Sequence, residues 1–158
     1  MRDVDLAYLA GMIDADGYIT ATMSTRSGTT YFGAQVGITG SRREPHDLAA
    51  SLFGGNVTRH HPAGDRSHHR TQYHWQMGGR RAVPVIAAVQ PHLRVKVAQA
   101  ELAIHLQARA DELSAARLSG DPAPWLLPGD RGDAGLRLLV EEIRAHHARR
   151  GQPATTHP

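Results

Sequence analysis

Two carboxylates set two residues apart, Asp14 and Asp16, close the segment Leu9-Ala10-Gly11-Met12-Ile13-Asp14-Ala15-Asp16-Gly17. Ahead of them Leu6, Leu9, Ala10 and Ile13 recur at helical spacing, Asp3 suits an N-cap and Gly17 a C-terminal stop, so the spacing predicts a helix over residues 4–16. Acids in the last turn face the negative pole of the helix macrodipole, at a cost of about 0.3–1 kcal/mol each, and something must offset it. Side chains at i and i+2 point to different sides of a helix, so Asp14 and Asp16 do not share one role. A divalent cation bound at the helix end is the offset these residues favour, against the plainer reading of an amphipathic helix closed by a capping aspartate. Ala7, Gly11 and Ala15 lie four apart and lay a strip of small side chains along one face, which admits close approach by another backbone. If that backbone is the same helix of a second copy, a twofold axis brings two Asp16 carboxylates to one place.

The elements that must hold these groups belong to a chain of 158 residues and 17.2 kDa, room for one compact domain. Hydrophobic residues make up 41% and charged residues 21%, the balance of a globular rather than a disordered protein. With no cysteine, disulfide scaffolds, thiolate zinc sites and cysteine nucleophiles are excluded. The longest apolar run, residues 82–89, is too short for a bilayer, and residues 1–5 carry acids where a secretory signal would be basic. A soluble protein of the cytoplasm is the expectation.

The net charge of +3 hides a segregation. Residues 18–96 hold ten Arg or Lys against three acids, Glu44, Asp47 and Asp65, while the rest holds eight Arg against twelve acids. A basic module of this kind marks a surface that faces a polyanion, most often nucleic acid. Seventeen of the eighteen basic residues are Arg, which singles out Lys96.

Within the basic module, period-two alternation predicts strands over 17–26 and 30–39 about a Ser27-Gly28 turn. A helix over 45–53 follows, with Pro45 at its first position and Gly54-Gly55 at its end. Strands over 56–61 and 70–77 flank a loop at 62–69, with Tyr73, Trp75 and Met77 facing inward and Gln72, His74 and Gln76 outward. Helical signal returns near 84–89 and from about 92 to 118, where Val95, Ala98, Leu102, Leu106 and Arg109 mark a stripe, and again over 133–149 after a Pro/Gly-rich crossing at 120–129. The class is α+β in the order αββαββα with a C-terminal helix. Residues 1–118 form the core, 119–149 a loop and helix packed on it, and 150–158 a tail. A sheet with one apolar face packs that face on helices and leaves a polar, here basic, face for solvent or a ligand; a two-stranded ribbon of hydrogen-bonding side chains suits a DNA major groove. His60, His61, His68, His69 and His74 fall in the second hairpin without the spacing or carboxylate partners of a zinc site.

Residues 9–17 resemble the signature of the LAGLIDADG homing endonucleases at every position except Met12, where that signature has leucine. The element order over residues 4–118 is similar to the family domain. Gln90-Pro91-His92-Leu93-Arg94-Val95-Lys96 resembles the stretch in which single-motif members place an active-site lysine. The resemblance implies a saddle-shaped antiparallel sheet with helices on one face, two chains paired through their motif helices, and a long, nearly palindromic double-stranded DNA target. It implies Asp16 as metal-binding catalytic acid, the Ala15 carbonyl as a further ligand, Lys96 as the active-site lysine, and Asp14 with Ala7, Gly11 and Ala15 at the dimer interface, where Asp14 caps or braces the partner helix.

The implied chemistry is hydrolysis of one phosphodiester per strand with two or three Mg²⁺ ions per dimer, Mn²⁺ or Ca²⁺ substituting in binding, and with neither a membrane nor a small-molecule substrate. Base contacts are assigned to the outward strand residues Thr20, Thr22, Ser24, Arg26, Gln35, Thr39, Thr58, His60, Arg70, Gln72, His74 and Gln76. Arginine suits guanine and glutamine suits adenine. Phosphate contacts fall to Arg42 and Arg43 among Arg59, Arg66, Arg80, Arg81 and Arg94. One departure stands out: Gly40 occupies the place where single-motif relatives often carry a polar side chain. It favours one alternative, a DNA-binding regulator with weak or no cleavage; another alternative is an intron maturase with an RNA-facing surface elsewhere, at the Arg144–Arg150 end of the last helix.

Overall fold

The computed structural model describes residues 2–61, 70–123, 125–126 and 132–148. Helix α1, Asp3–Asp16, buries Leu9, Ala10 and Ile13. Its N-cap is Arg2 rather than Asp3, a correction to the expected start; Asp3 and Asp5 instead lie in the first turn at the positive pole, and Arg2 pairs with Asp5 at 3.0 Å. Strands β1, Gly17–Arg26, and β2, Thr29–Gly40, form the expected hairpin. Both turn residues, Ser27 and Gly28, have positive φ, so the turn has the twist that matches paired strands.

Helix α2, Glu44–Phe53, has Pro45 in its first turn and stops where Gly54 and Gly55 take φ of 76° and 87°. Strands β3, Thr58–His60, and β4, Gln72–Gly78, pair antiparallel; the expected loop between them lies outside the described residues. A 3₁₀ turn at Gly79–Arg81 leads to α3, Ala82–Val89, and a second at Gln90–His92 leads towards α4, Val97–Ser119, which ends at Gly120 in the left-handed conformation. Helix α5, Asp133–Ala148, packs on α4 and β1.

The four strands make one antiparallel sheet in the order β1-β2-β4-β3. Ile19, Ala21, Ala34, Val36, Ile38, Trp75 and Met77 are buried on its inner face, in one core with α1, α3 and α4. The Trp75 indole donates to the Gly54 carbonyl at 2.9 Å, tying the end of α2 to β4.

The long helix departs from expectation at its start and on its face. It begins at Val97 rather than near 92, and its buried side is Gln99, Ala100, Ala103, Leu106, Gln107, Ala110 and Leu113. Of the expected stripe only Leu106 is fully buried, and Val95 precedes the helix. The packed face is built largely of alanine, which brings α4 close to the sheet, and of two buried glutamines, of which Gln107 acts on backbone: its Oε1 accepts from the Ala34 N–H at 2.9 Å, beyond the point where β4 has ended. No helix among the described residues is long and apolar enough to cross a membrane.

Candidate active site and nucleic-acid interface

Gly17 sets the site. A Cβ there would lie 2.6 Å from the Gly37 carbonyl oxygen and 2.7 Å from Ile13 Cα, so only glycine lets the end of α1 abut β2 and turn directly into β1. Asp14 and Asp16 are thereby held at the lip of the sheet.

Their surroundings differ completely. The Asp14 carboxylate accepts three successive backbone N–H groups, from Arg94 at 2.7 Å, Val95 at 3.0 Å and Lys96 at 2.9 Å. These amides precede α4, whose N-cap is Lys96. A carboxylate at a helix N-terminus satisfies donors that have no partner within the helix and faces the favourable pole of its dipole. In return the Lys96 ammonium donates to the Ile13 and Asp14 carbonyls, both at 2.7 Å. Lys96 is only 5% exposed. Two helix ends are thus clasped reciprocally: an anion from α1 caps α4, and a cation from the start of α4 caps α1.

This revises two expectations. The offset to the unfavourable dipole at the end of α1 is the chain's own lysine. Asp14, expected to brace a partner helix, spends its carboxylate on its own chain. The clasp also explains the late start of α4, because the amides of residues 94–96 point at one side chain instead of at carbonyls one turn back.

Asp16 is exposed, and its carboxylate has no hydrogen bond or ion pair among the described residues. Ala15, Gly11 and Ala7 are exposed along the same helix, as are Tyr8 at 47% and Val4 at 65%. A Cβ on Gly11 would meet nothing within 4 Å. The outer side of α1 is therefore largely apolar, with a strip of small residues, and is uncovered by any of the described residues.

On the polar side of the sheet Ser24, Arg26, Thr39, Thr58, His60, Arg70 and Gln76 are exposed, and Thr20, Gln35, Gln72 and His74 are half-buried. Thr22 is exposed but donates to the Gly33 carbonyl at 3.1 Å, and Thr58 donates to the His74 carbonyl at 3.2 Å. Arg42, Arg59, Arg81 and Arg94 are exposed; Arg43 pairs with Asp47 at 3.1 Å and Arg80 with Asp111 at 2.9 Å. Arg66, His68 and His69 lie outside the described residues. A cleft of about 280 Å³ beside Gln76 has Asn56, Thr58, His74 and Arg81 in its walls.

Sequence reasoning passed over two features of this face. Tyr18, Gly37 and Gln76 stand in one row across three strands. Because Gly37 has no side chain, the Tyr18 ring crosses β2, and its hydroxyl reaches His74 Nε2 and Gln76 Oε1, each at 2.9 Å. Burial pushes the Tyr18 hydroxyl above its ordinary value of 10.0; burial first, and then the nearby His46, push His74 below its ordinary 6.5. The alternation had placed Tyr18 on the outward face, but nothing in the sequence showed that it reaches β4.

The second feature is His46, completely buried on α2. Its Nδ1 lies 2.8 Å from the Arg42 carbonyl, and its Nε2 has no hydrogen-bond partner among the described residues. A Cβ on Gly40 would sit 3.7 Å from the His46 ring and meet nothing else within 4 Å, so Gly40 leaves room at the rim of the sheet.

An open four-stranded antiparallel sheet with five helices, a motif helix ending at its lip and a polar outer face define the LAGLIDADG homing-endonuclease fold. Solved structures carry the same architecture. The homing endonuclease I-CvuI, crystallised with its target in the presence of Ca, is 18% identical, over 96% of this chain and 98% of that one, with a TM-score of 0.56. I-CvuI on an I-CreI target with Mg, its DNA not cleaved, gives 0.52 at the same identity, over 96% and 97% of the two chains. The archaeal intron-encoded homing endonuclease I-Vdi141I, complexed with DNA, is 14% identical over 92% of this chain and 98% of that one, with a TM-score of 0.53. No protein-family model and no curated protein sequence matches the chain.

Proposed function

We propose that this chain is a site-specific endonuclease of the homing type that cuts both strands of a long, nearly palindromic DNA as a homodimer with Mg²⁺. The observation that carries this reading is the contrast at the end of α1. Asp14 and Lys96 are consumed in fixing the helix, whereas Asp16 is exposed and, among the described residues, without a hydrogen bond or ion pair, beside a strip of exposed small residues.

A second copy packed along Ala7, Gly11 and Ala15 brings two Asp16 carboxylates together over the DNA between two polar sheets. Among the described residues no three His, Asp or Glu side chains gather as a metal-binding group. One chain therefore offers one carboxylate and the neighbouring Ala15 carbonyl, and a complete ligand set needs the second copy and the phosphates of the DNA. Bound there, Mg²⁺ supplies an acidified water and neutralises charge on the phosphodiester. The protein's part is placement. Lys96 holds the last carbonyls of α1 and with them the direction of Asp16, and its positive charge is buried at that helix end. The basic residues of the middle segment bind the backbone, so affinity falls steeply with salt.

Gly40 favours a second reading, a DNA-binding regulator that cuts weakly or not at all, because the rim position where a polar side chain would order solvent is open. One experiment separates the two. The protein is incubated with Mg²⁺ and a pool of duplexes randomised across a span longer than the dimer covers, and the cut ends are sequenced. Cleavage by the unaltered protein that disappears in Asp16→Asn, with binding intact, supports the endonuclease. Binding without cleavage in both supports the regulator, and a monomer that cuts both strands overturns the dimeric site.

A further inference from the structure

The outer face of the sheet carries a hydrogen-bonded set that behaves as one object. Gln76 Oε1 accepts from the Tyr18 hydroxyl at 2.9 Å and from Gln35 Nε2 at 2.8 Å, and the Tyr18 oxygen also lies 2.9 Å from His74 Nε2. The four side chains come from β1, β2 and β4 and are joined only because Gly37 leaves the middle strand bare: a Cβ there would fall 2.6 Å from the tyrosine Cζ and Oη. Tyr18 follows Asp16 by two residues and precedes the predicted base contacts of β1, Thr20, Thr22, Ser24 and Arg26, along the strand.

The heavy atoms admit two proton arrangements. In one, His74 donates to Tyr18, Tyr18 donates to Gln76 Oε1, and Gln35 donates to the same oxygen. In the other, both amides are flipped: Gln76 donates to Tyr18 and to Gln35, and Tyr18 donates to His74. Mixed arrangements set two donors or two acceptors against each other. Either way the two amide ends not used inside the set are opposite in kind, one a carbonyl and the other an NH₂. The upward shift of Tyr18 and the downward shift of His74 favour the neutral form of each, which both arrangements accommodate.

We infer that Tyr18, Gln35, His74 and Gln76 form a single base-reading unit that presents one donor and one acceptor together, matches adenine N6/N7 in the major groove and rejects the double acceptor of guanine. This rests on the proposed DNA-cutting function and deepens it. It also replaces the simple expectation that Gln35 and Gln76 each read an adenine alone, because the oxygen of Gln76 is already doubly engaged. Tyr18 acts here as a positioning residue: its hydroxyl, donor in one arrangement and acceptor in the other, holds one end of the Gln76 amide so that the opposite end faces the DNA.

The test is selection from the randomised duplex pool by the full chain, followed by the same selection with Tyr18→Phe and with Gln35→Ala. The unaltered protein should recover a motif with adenine favoured over guanine about tenfold at one position in each half-site. Tyr18→Phe, which removes one oxygen, should flatten that position alone, leaving the preferences at the other positions of the motif unchanged. Gln35→Ala should flatten the same position, and the double variant should be no flatter than either single one. A motif unchanged by Tyr18→Phe, or flattening at separate positions by the two variants, overturns the inference while the endonuclease reading stands. A pool from which the unaltered protein recovers no motif overturns both.

Discussion

The two aspartates of the motif, two residues apart on one helix end, live in opposite conditions. Asp14 is saturated by three amides and answered by a buried lysine; Asp16 has no partner among the described residues. The same division runs the length of α1, whose inner side, Leu9, Ala10 and Ile13, is buried and whose outer side is bare. The lesson is that one short motif is split in two, one carboxylate fixing the geometry of the chain and the other left exposed and available to the proposed metal. Substitutions that separate the two should move different observables.

The largest effect is expected at Asp16. Asp16→Asn should lower cleavage on the order of 10³-fold or more while shifting unfolding free energy by no more than about 0.5 kcal/mol, since the side chain stabilises nothing within its own chain. Denaturation measured beside a cleavage assay checks both halves. Lys96→Met comes next. It removes the donor from two helix-terminal carbonyls and should cost about 3 kcal/mol, because the carbonyls lose a charged partner in a site with little room for water. Loss of activity in that variant should accompany loss of stability, unlike Asp16→Asn. Asp14→Ala should cost about 2 kcal/mol, the upper end for a lost helix cap, since exposed amides can turn to solvent. Equal destabilisation by Asp14→Ala and Asp16→Ala would dissolve the contrast.

How much of this was legible beforehand follows the same division. Local chemistry could be read: the hairpin turn at Ser27-Gly28, Pro45 in the first turn of α2 and the stop at Gly54-Gly55 are each dictated by neighbours in sequence. The motif helix and its bare strip of Ala7, Gly11 and Ala15 were legible because four-residue spacing alone places them. The clasp was not, because Asp14 and Lys96 are 82 residues apart and nothing in either segment announces the other. The buried face of α4 was misplaced for a related reason: alanine and glutamine carry little hydrophobic signal, so Ala100, Ala103 and Gln107 were invisible beside Leu102, which is only half-buried. Tyr18 reaching β4 depends on the absence of a side chain at Gly37, a property of three strands in register.

Gly11→Leu sharpens the comparison from the outer side. Since nothing stands within 4 Å of a Cβ there, the variant should fold as well as the parent or better, by up to about 1 kcal/mol from helix propensity. The added bulk should nevertheless hold a second helix away, and sedimentation should show monomers where the parent shows dimers. Destabilisation by Gly11→Leu at concentrations where the parent is monomeric would mean that this side is covered by the chain itself.

The smallest effect concerns the sheet face, where the contrast predicts a dependence on pH rather than on any one contact. His74 is held below its ordinary 6.5, chiefly by burial and then by His46, so its neutral form is the one the fold prefers. The unfolded chain takes up that proton first as pH falls; the contribution is present above 6.5 and is lost below it. Tyr18, held above 10.0 by burial, behaves in the opposite sense: the unfolded chain releases the proton first, so stability is lost as pH rises beyond 10.0. Thermal midpoints of the parent and of Tyr18→Phe should therefore converge above pH 10, where the parent alone carries an ionisable hydroxyl that burial disfavours, and should run parallel between pH 7 and 9. Midpoints that run parallel through the alkaline range as well would show that the Tyr18 hydroxyl is wetted, and the set on the sheet face would lose the neutral wiring that distinguishes it from the open carboxylate at the end of α1.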